Sequence, residues 1–275
     1  MAGMLYLVPT PIGNLGDISP RSRQILQEAD FIAAEDTRVT CKLLNYLELK
    51  KPLVSYYEHN KTFRGEQILQ RIQAGETCAL VSDAGSPAIS DPGEDLVRQC
   101  AQAGIVVSAV PGPCAVITAL SISGLPTGRF TFEGFLSTAK KSRMEHLNQL
   151  RQETRTMVFY EAPHKLLRTL EDMAQVFGPE RPIALCRELT KLHEEVLRTT
   201  FSGALAHYTE QPPKGEFVLV VRGAEPDQSP AYTLDDGVRR AEELMASGLP
   251  RSEAARQAAQ ETGLPKKAIY DGTLQ

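Results

Sequence analysis

The sequence predicts an α/β protein with two α/β domains and a small helical C-terminal appendage. Short apolar segments alternate with helix-like segments over residues 1–121, which is typical of a parallel sheet covered by helices. Over residues 122–225 the strand-like segments follow one another more directly, which favours a mixed or antiparallel sheet. Residues 226–275 carry only helical patterns once a polar linker has ended.

The first predicted domain alternates strands and helices regularly. Apolar runs bounded by turn residues predict strands at 4–8, 31–35, 53–57, 77–82 and 105–110. The segments that follow them fit helices at 20–29, 38–47, 61–73, 93–103 and 114–123. Ser19 and Pro20 open the first of these helices as the expected N-cap and first helical residue.

The second predicted domain has strands at 130–135, 156–161, 182–189, 196–201 and 216–222, with helices at 141–153 and 163–177. A polar segment that contains proline, at 225–231, separates it from the appendage. In the appendage, Gly263, Leu264 and Pro265 resemble the turn of a helix-turn-helix. Six basic and seven acidic residues give 231–275 a net charge of −1, without the basic excess of an independent DNA-binding domain.

Composition and charge are those of an ordinary globular protein. The chain has 275 residues, 42% of them hydrophobic, and a net charge of −4, which argues against disorder. It has neither a run of about 18 apolar residues nor the basic start of a signal peptide, so we expect no membrane segment and a cytoplasmic location. Its five cysteines form no C-x-x-C pair and no zinc-like spacing with histidine, so we expect neither disulfides nor a bound metal.

Several common catalytic motifs are absent from the sequence. No two glycines stand two positions apart, which excludes the G-x-G-x-x-G fingerprint of dinucleotide-binding proteins. The chain also lacks a Gly-Lys dipeptide, a G-x-S-x-G elbow and an H-E-x-x-H helix. ATP hydrolysis, NAD redox chemistry, serine hydrolysis and zinc proteolysis are therefore disfavoured.

Three loops rich in glycine and proline stand where strands of the parallel sheet should end, at 9–14, 82–87 and 110–115. In open α/β sheets, ligands bind beyond the carboxyl ends of the strands. Glycine lets the backbone approach a ligand closely, and proline stiffens the loop. Tight turns that only close strand–helix corners are the alternative, although three such loops at one edge favour a ligand site.

A series of motifs resembles the tetrapyrrole methylase superfamily. The motifs follow one another in order and read LYLVPTPIGNLGDIS (5–19), AEDTR (34–38), YYEHN (56–60), ALVSDAGSPAISDPG (79–93), VPGPCAV (110–116), FEGFL (132–136), FYEAPH (159–164), CREL(T)K (186–191) and GEFVLVV (215–221). The first, second and fourth are most similar to the bacterial branch that methylates the ribose 2′-oxygen of a cytidine in 16S ribosomal RNA.

The resemblance implies an enzyme that is dependent on S-adenosylmethionine, works as a homodimer and holds the cofactor in a cleft between two α/β domains. It implies cofactor contacts from the first domain at Pro9, Pro11, Ile12, Gly13, Asp83, Ala84, Gly85, Ser86, Gly112, Cys114 and Ala115. From the second domain it implies contacts at Tyr160, Glu161, Ala162, Gly215 and Glu216. Relatives often have serine or threonine where this chain has Cys114, and a thiol is the weaker hydrogen-bond partner.

Methylation of a hydroxyl needs alignment of three atoms and a group that accepts the hydroxyl proton. Side chains of the matched motifs that could accept it are Glu35, Asp36, Glu58, His59 and Glu161. We expect substrate-side roles for Asp36, Arg38, His59 and Asn60, without choosing one base. The alternatives are a helix-capping acid with a surface ion pair for the first two, and an ordinary loop histidine for His59.

A local basic segment is the candidate for RNA binding, because the whole chain is acidic. Five basic minus two acidic residues give 138–155 a charge of +3. Its expected phosphate contacts are Lys140, Lys141, Arg143 and Arg151, and the alternative is a solvated helix face. Two rival functions stay open, namely a methylase of a tetrapyrrole or other small molecule and a non-enzymatic regulator that binds nucleic acid.

Overall fold

A computed structural model describes residues 3–91, 93–225 and 232–274. The chain divides into two units after Ala224. The larger unit contains two five-stranded sheets, and the smaller one is helical. The predicted fold class, two α/β domains followed by a helical appendage, is therefore confirmed, while the expected boundaries at 121/122 and 225/226 stay predictions.

The first sheet is parallel throughout its described ladders, as predicted. Its strands stand in the order β3-β2-β4-β1-β5, with bounds β1 Met4–Leu7, β2 Phe31–Ala34, β3 Leu53–Ser55, β4 Cys78–Val81 and β5 Val106–Ala109. The helices that connect and follow them are α1 Pro20–Glu28, α2 Thr37–Tyr46, α3 Lys61–Gln73, α4 Gly93–Gln102 and α5 Ala115–Ile122. Ser19 caps α1 as predicted, since its side chain accepts from the Ser22 N–H at 2.9 Å.

The predicted strands run slightly past the observed ladders. Val8 and Val110 are buried, at 0% and 3% exposure, yet both lie beyond the strand ends. Hydrophobicity marks burial and not ladder pairing, so the apolar runs overshoot where the chain turns into a buried loop.

The second sheet is mixed, as predicted. Strands β6 and β7 run parallel, whereas the β7–β10, β10–β8 and β8–β9 pairs are antiparallel. The bounds are β6 Phe130–Phe135, β7 Thr156–Glu161, β8 Pro182–Arg187, β9 Glu195–Thr200 and β10 Phe217–Val221. The helices of this region are α6 Lys140–Gln149, α7 Leu166–Phe177 and α8 Phe201–Glu210.

Both faces of the second sheet are covered by apolar side chains. Alternate residues of β10 divide between them, with Leu219 on the face covered by α7 and α8 and Val220 on the opposite face. Helix α5, which follows the last strand of the first sheet, packs on that opposite face through Val116, Ala119 and Leu120. This packing joins the two sheets and fixes the loop before α5 between them.

The smaller unit consists of α9 Leu234–Ala246, α10 Arg251–Thr262 and α11 Lys266–Gly272. Its apolar core is built largely from alanine, with Leu244 and Ile269. Gly263 ends α10 with a φ of +71°, at the turn that the sequence predicts. Within residues 3–91, 93–225 and 232–274, no helix is both long and apolar enough to span a membrane.

Candidate functional site

A cavity of about 630 Å³ lies at the carboxyl edge of the first sheet, and the second sheet closes its other side. Volumes of this size are usual for sites that enclose a small ligand. The first sheet contributes the loops that follow β1, β2, β4 and β5. The second contributes the end of β7, the connection between β8 and β9, and the start of β10.

Gly85 connects two of the loops that line the cavity. Its backbone pairs with Thr10 in both directions, with N···O distances of 2.9 and 3.0 Å, so the loops after β1 and β4 are joined. Gly85 has a φ of +86°, and a Cβ added there would lie 3.3 Å from Ile12 Cγ2. The backbone conformation therefore favours glycine, and the close approach of the loop after β1 leaves little room for a side chain.

The loops after β4 and β5 are joined by a second hydrogen bond. The Ser86 hydroxyl donates to the Pro113 carbonyl at 3.0 Å. Cys114 and Ala115 follow directly and line the cavity at the start of α5. Three of the four loops that the first sheet contributes to the cavity are thus held together before any ligand binds, which is a form of preorganisation.

Three carboxylates give the cavity an acidic wall: Glu35, Asp83 and Asp91. Burial raises the pKa of each of them, and for Glu35 the neighbouring Asp83 and Asp91 charges raise it further. Asp83 accepts the Asp36 N–H at 3.0 Å, and Asp91 accepts the N–H groups of Ala88 and Gly93, each at 2.8 Å. A cation is the ligand charge that this wall stabilises.

The second sheet adds an aromatic wall to the cavity. Tyr160 packs against Phe132 and Phe135, with ring centroids 5.0 and 5.3 Å away. Burial raises the pKa of Tyr160 to about 12, so its phenol is neutral at physiological pH. Phe135 lines the cavity while 58% of its surface stays exposed.

Lys191 closes one side of the cavity. Its Nζ donates to Glu188 at 2.9 Å and to Glu216 at 2.8 Å. A Cβ at Gly13 would run into the aliphatic part of the same lysine, so the loop after β1 packs directly on it. One side chain thus connects the first sheet to the edge of β10.

Most residues predicted to touch the cofactor line this cavity, namely Ile12, Asp83, Ala84, Gly85, Ser86, Cys114, Ala115, Tyr160, Glu161, Ala162 and Glu216. The described residues Pro9, Pro11, Gly13, Gly112 and Gly215 do not. Gly112 lies so close to Pro9 that a Cβ would be 2.8 Å from the proline Cβ, and Gly215 has a φ of +81° beside Glu188. Close packing in the loops around the cavity accounts for these glycines, and cofactor contact stays a prediction for all sixteen.

The cavity also contains residues that were not among the predicted contacts. Beside Glu35 and Asp91 they include Ile89, Ser90, Phe135, His164 and Lys191. All of them lie within the matched motifs, in the later parts of SPAISDPG, FEGFL, APH and CREL(T)K. The motifs themselves carried the signal, but a side chain's direction cannot be read from a motif.

The four predicted substrate-side residues, all described, lie outside the cavity lining. Asp36 caps α2, accepts the Arg38 N–H at 2.8 Å and pairs with the Arg38 guanidinium, which lowers the pKa of Asp36 to about 2. Arg38 is 87% exposed. Asn60 accepts the Tyr57 N–H at 2.8 Å, and exposed His59 places its ring edge against Tyr57. These contacts fit the alternatives given above, a helix-capping acid with a surface ion pair and an ordinary loop histidine. Catalytic roles for the four residues stay predictions.

The predicted basic surface needs one correction. Lys140, Lys141 and Arg151 are exposed on and just after α6. Arg143 is only 2% exposed, its Nε donates to Asp172 at 2.7 Å and its second nitrogen bonds the Ser137 and Thr138 carbonyls. The prediction that Arg143 contacts RNA is therefore wrong, because a guanidinium held in this buried network cannot reach a phosphate.

Comparison with known proteins covers both units. Residues 4–204 match the family described as Tetrapyrrole (Corrin/Porphyrin) Methylases, and residues 233–275 match the RsmI C-terminal HTH domain. The chain is 50% identical over 273 residues to ribosomal RNA small subunit methyltransferase I of Synechocystis sp., covering 99% of this chain and 98% of that protein. It is 45% identical to the protein of the same name from Escherichia coli O157:H7, covering 99% and 95% of the two chains.

Solved structures share the fold of the larger unit. The methyltransferase CobJ superposes with a TM-score of 0.61 at 19% identity, covering 81% of this chain and 95% of that one. Uroporphyrin-III C-methyltransferase from Thermus thermophilus, in complex with S-adenosyl homocysteine, gives 0.56 at 16% identity, covering 79% and 97%. The family model and the near full-length relatives agree. The chain therefore belongs to the tetrapyrrole methylase family and, within it, to the ribosomal RNA small subunit methyltransferase I group.

Proposed function

We propose that the protein transfers a methyl group from S-adenosylmethionine to the ribose 2′-oxygen of a cytidine in 16S ribosomal RNA. The observation that carries this proposal is the similarity to ribosomal RNA small subunit methyltransferase I over 99% of the chain, which includes the helical unit. That unit lies outside residues 4–204, which match the tetrapyrrole methylase family, and itself matches the RsmI C-terminal HTH domain.

The cavity fits the methyl donor chemically. S-adenosylmethionine carries a sulfonium, an ammonium and one carboxylate, and when bound it supplies an electrophilic methyl group. Glu35, Asp83 and Asp91 provide negative charge for its cationic centres, while Lys191 adds a positive charge to the lining of the same cavity. The adenosine part carries no charge. The backbone of Gly85 and the apolar surfaces of Ile12 and Tyr160 are therefore suited to it.

The surroundings of the cavity suit a nucleotide substrate. Phe135 offers an exposed aromatic face at the cavity, and unstacked bases commonly stack on such rings. Lys140, Lys141 and Arg151 add exposed positive charge that phosphates could neutralise on a chain of net charge −4.

Two finer points belong to the same proposal. We place the activity in the cytoplasm, where bacterial ribosomal RNA is found. We also propose a homodimer, which the family resemblance implies. Exposed Val106 on the edge strand β5 (61%) and exposed Ile117 on α5 (50%) give it apolar surface to cover. Light scattering on the purified protein should give twice the mass of 30.2 kDa, and a monomer at micromolar concentration would reject the dimer.

The experiment for the proposed function uses the full chain, methyl-labelled S-adenosylmethionine and small ribosomal subunits from cells that lack this modification. The label should appear in 16S RNA in a dinucleotide that resists alkali, because a 2′-O-methyl group blocks cleavage at that ribose. Parallel reactions with a tetrapyrrole acceptor test the rival enzyme function. Label in the macrocycle alone would reject the RNA substrate, and label in neither would reject both.

A further inference from the structure

We infer that Glu35, and not the adjacent Asp36, is the carboxylate that accepts the ribose hydroxyl proton during methyl transfer. The inference rests on the proposed function and adds to it the residue that moves the proton. The two carboxylates follow directly after β2, in the AEDTR motif.

Geometry separates these two neighbours. Glu35 lines the cavity. Asp36 instead caps α2, where its Oδ1 accepts the Arg38 N–H at 2.8 Å and the Arg38 Nε at 3.0 Å. Its second oxygen lies 2.6 Å from the same guanidinium, so both oxygens have partners outside the cavity.

The electrostatic surroundings of the two groups also differ. The charged groups that face Glu35 are Asp83 after β4, Asp91 before α4 and Asp36 beside it, and the Asp83 N–H donates to the Glu35 carboxylate. Burial, and then these like charges, raise the pKa of Glu35. Arg38 lowers the pKa of Asp36 to about 2. A base with the higher pKa draws the hydroxyl proton more strongly, as long as it is still ionised at the working pH.

Most of the other oxygen-bearing side chains of the cavity are engaged or protonated. Asp83 Oδ1 accepts the Asp36 N–H at 3.0 Å, and Glu216 pairs with Lys191. Glu161 accepts the Ala162 N–H at 2.8 Å and the Thr169 hydroxyl at 2.5 Å, one bond to each oxygen. Asp91 Oδ1 holds two backbone N–H groups of its own loop. Tyr160, with its pKa raised to about 12, keeps its proton. His164 also lines the cavity and is the competing base that an experiment must separate.

The step balances with the groups named. A lone pair of the ribose 2′-oxygen forms the new O–CH3 bond, and the electron pair of the broken S–CH3 bond stays on sulfur, which becomes a neutral thioether. The hydroxyl proton passes to the Glu35 carboxylate, and from there to water. Ionised Glu35 stabilises the positively charged donor in the starting complex. During the step the donor loses its positive charge, and Glu35 loses its negative charge by taking up the proton.

The test compares Glu35→Gln with Glu66→Gln, an exposed glutamate on α3 that is not part of the cavity. Glutamine keeps the size of Glu35 but cannot take up a proton at neutral pH. We expect a fall in kcat of about 100-fold or more for Glu35→Gln, in the range found for general bases. We expect the Kd for S-adenosylmethionine to rise by less than about tenfold, because Asp83 and Asp91 still give the cavity negative charge. The Kd for small ribosomal subunits should stay within threefold of the wild-type value, and Glu66→Gln should behave like the wild type.

Two further variants keep the outcomes distinct. Glu35→Asp, which restores a carboxylate, should recover part of kcat, and the acidic limb of the pH–kcat profile should be absent in Glu35→Gln. If the wild-type protein labels the subunits and the Glu35→Gln variant is equally active, this inference alone is overturned. A loss of S-adenosylmethionine affinity equal to the loss in kcat, or a larger kcat loss in His164→Gln than in Glu35→Gln, would overturn it as well. A wild-type protein that leaves 16S RNA unlabelled would overturn the proposed function, and this inference with it.

Discussion

The two sheets supply different chemistry to one cavity. In the parallel first sheet all strands end at the same edge, so its turns and carboxylates, among them Gly85, Asp83 and Glu35, gather there. In the mixed second sheet β6 and β7 run parallel while the other neighbouring pairs are antiparallel, and the ends of the parallel pair contribute the aromatic side chains Phe135 and Tyr160. From this difference we predict that the first sheet provides the charged contacts of the site, whereas the second sheet provides its aromatic surfaces, with Tyr160 facing the methyl donor and Phe135 facing the substrate.

The largest expected effect is on the second sheet and concerns stability alone. Arg143→Ala leaves the Asp172 carboxylate buried without its guanidinium, which should lower the free energy of unfolding by about 3–5 kcal/mol. Lys140→Ala, on the same helix but exposed, should change it by less than about 0.5 kcal/mol. Urea unfolding followed by circular dichroism measures both. Equal stabilities for the two variants would show that the Arg143 network contributes little.

Next in size is a change in the first sheet that should affect donor binding. Gly85→Val places a branched side chain at a φ of +86° and against Ile12, so the Kd for S-adenosylmethionine should rise at least about 100-fold. Gly104→Val is the matched control, because Gly104 has a φ of +68° and nothing within 4 Å of an added Cβ. Titration calorimetry should find no binding in the first variant and retained binding in the second. Unchanged affinity in Gly85→Val would remove the first sheet from the donor site.

A third change tests the substrate side that we assign to the second sheet. Phe135→Ala removes the exposed ring and should weaken binding of small ribosomal subunits by about 1–3 kcal/mol, the usual range for one stacked base. Phe135→Tyr keeps the ring and should bind like the wild type. Filter binding measures the subunits, and calorimetry should show unchanged S-adenosylmethionine affinity. A loss of donor affinity in Phe135→Ala would place the ring on the donor side instead.

The smallest effect concerns the basic surface. The triple variant Lys140→Ala, Lys141→Ala, Arg151→Ala should reduce the slope of log K against log salt for RNA binding by about 0.7–0.9 for each phosphate that the protein no longer neutralises. The control pair Lys42→Ala and Lys50→Ala removes exposed charge from the first-sheet region. If the wild type and the triple variant have the same salt dependence, these residues do not bind RNA phosphates and α6 has only an ordinary solvated face.

Much of the fold could be predicted, because the period of the hydrophobic pattern and the positions of turn residues indicate which segments are buried. Continuous apolar strands predicted the parallel sheet, and more direct strand succession predicted the mixed one. Arg143 was misassigned because α6 is rich in charge, although Leu147 stands four residues later on the same helix face and is fully buried. That spacing was the available signal for a buried arginine.

The separate directions of Glu35 and Asp36 could not be predicted. Strand alternation holds only while the ladder continues, and β2 ends at Ala34. After that point the direction of Asp36 is set by the N-cap of α2 and by Arg38. The Thr10–Gly85 pairing likewise joins residues far apart in sequence, which no local pattern reveals.

The central claim is that the methyl donor binds between the two sheets, on the acidic edge of the first. A crystal structure of the full chain with S-adenosylhomocysteine tests it most directly. We expect density for the ligand inside the cavity, with its sulfur on the side of Glu35 and its adenosine against Gly85, Ile12 and Tyr160. Ligand bound at another surface, while the cavity between the sheets holds only solvent, would contradict the claim.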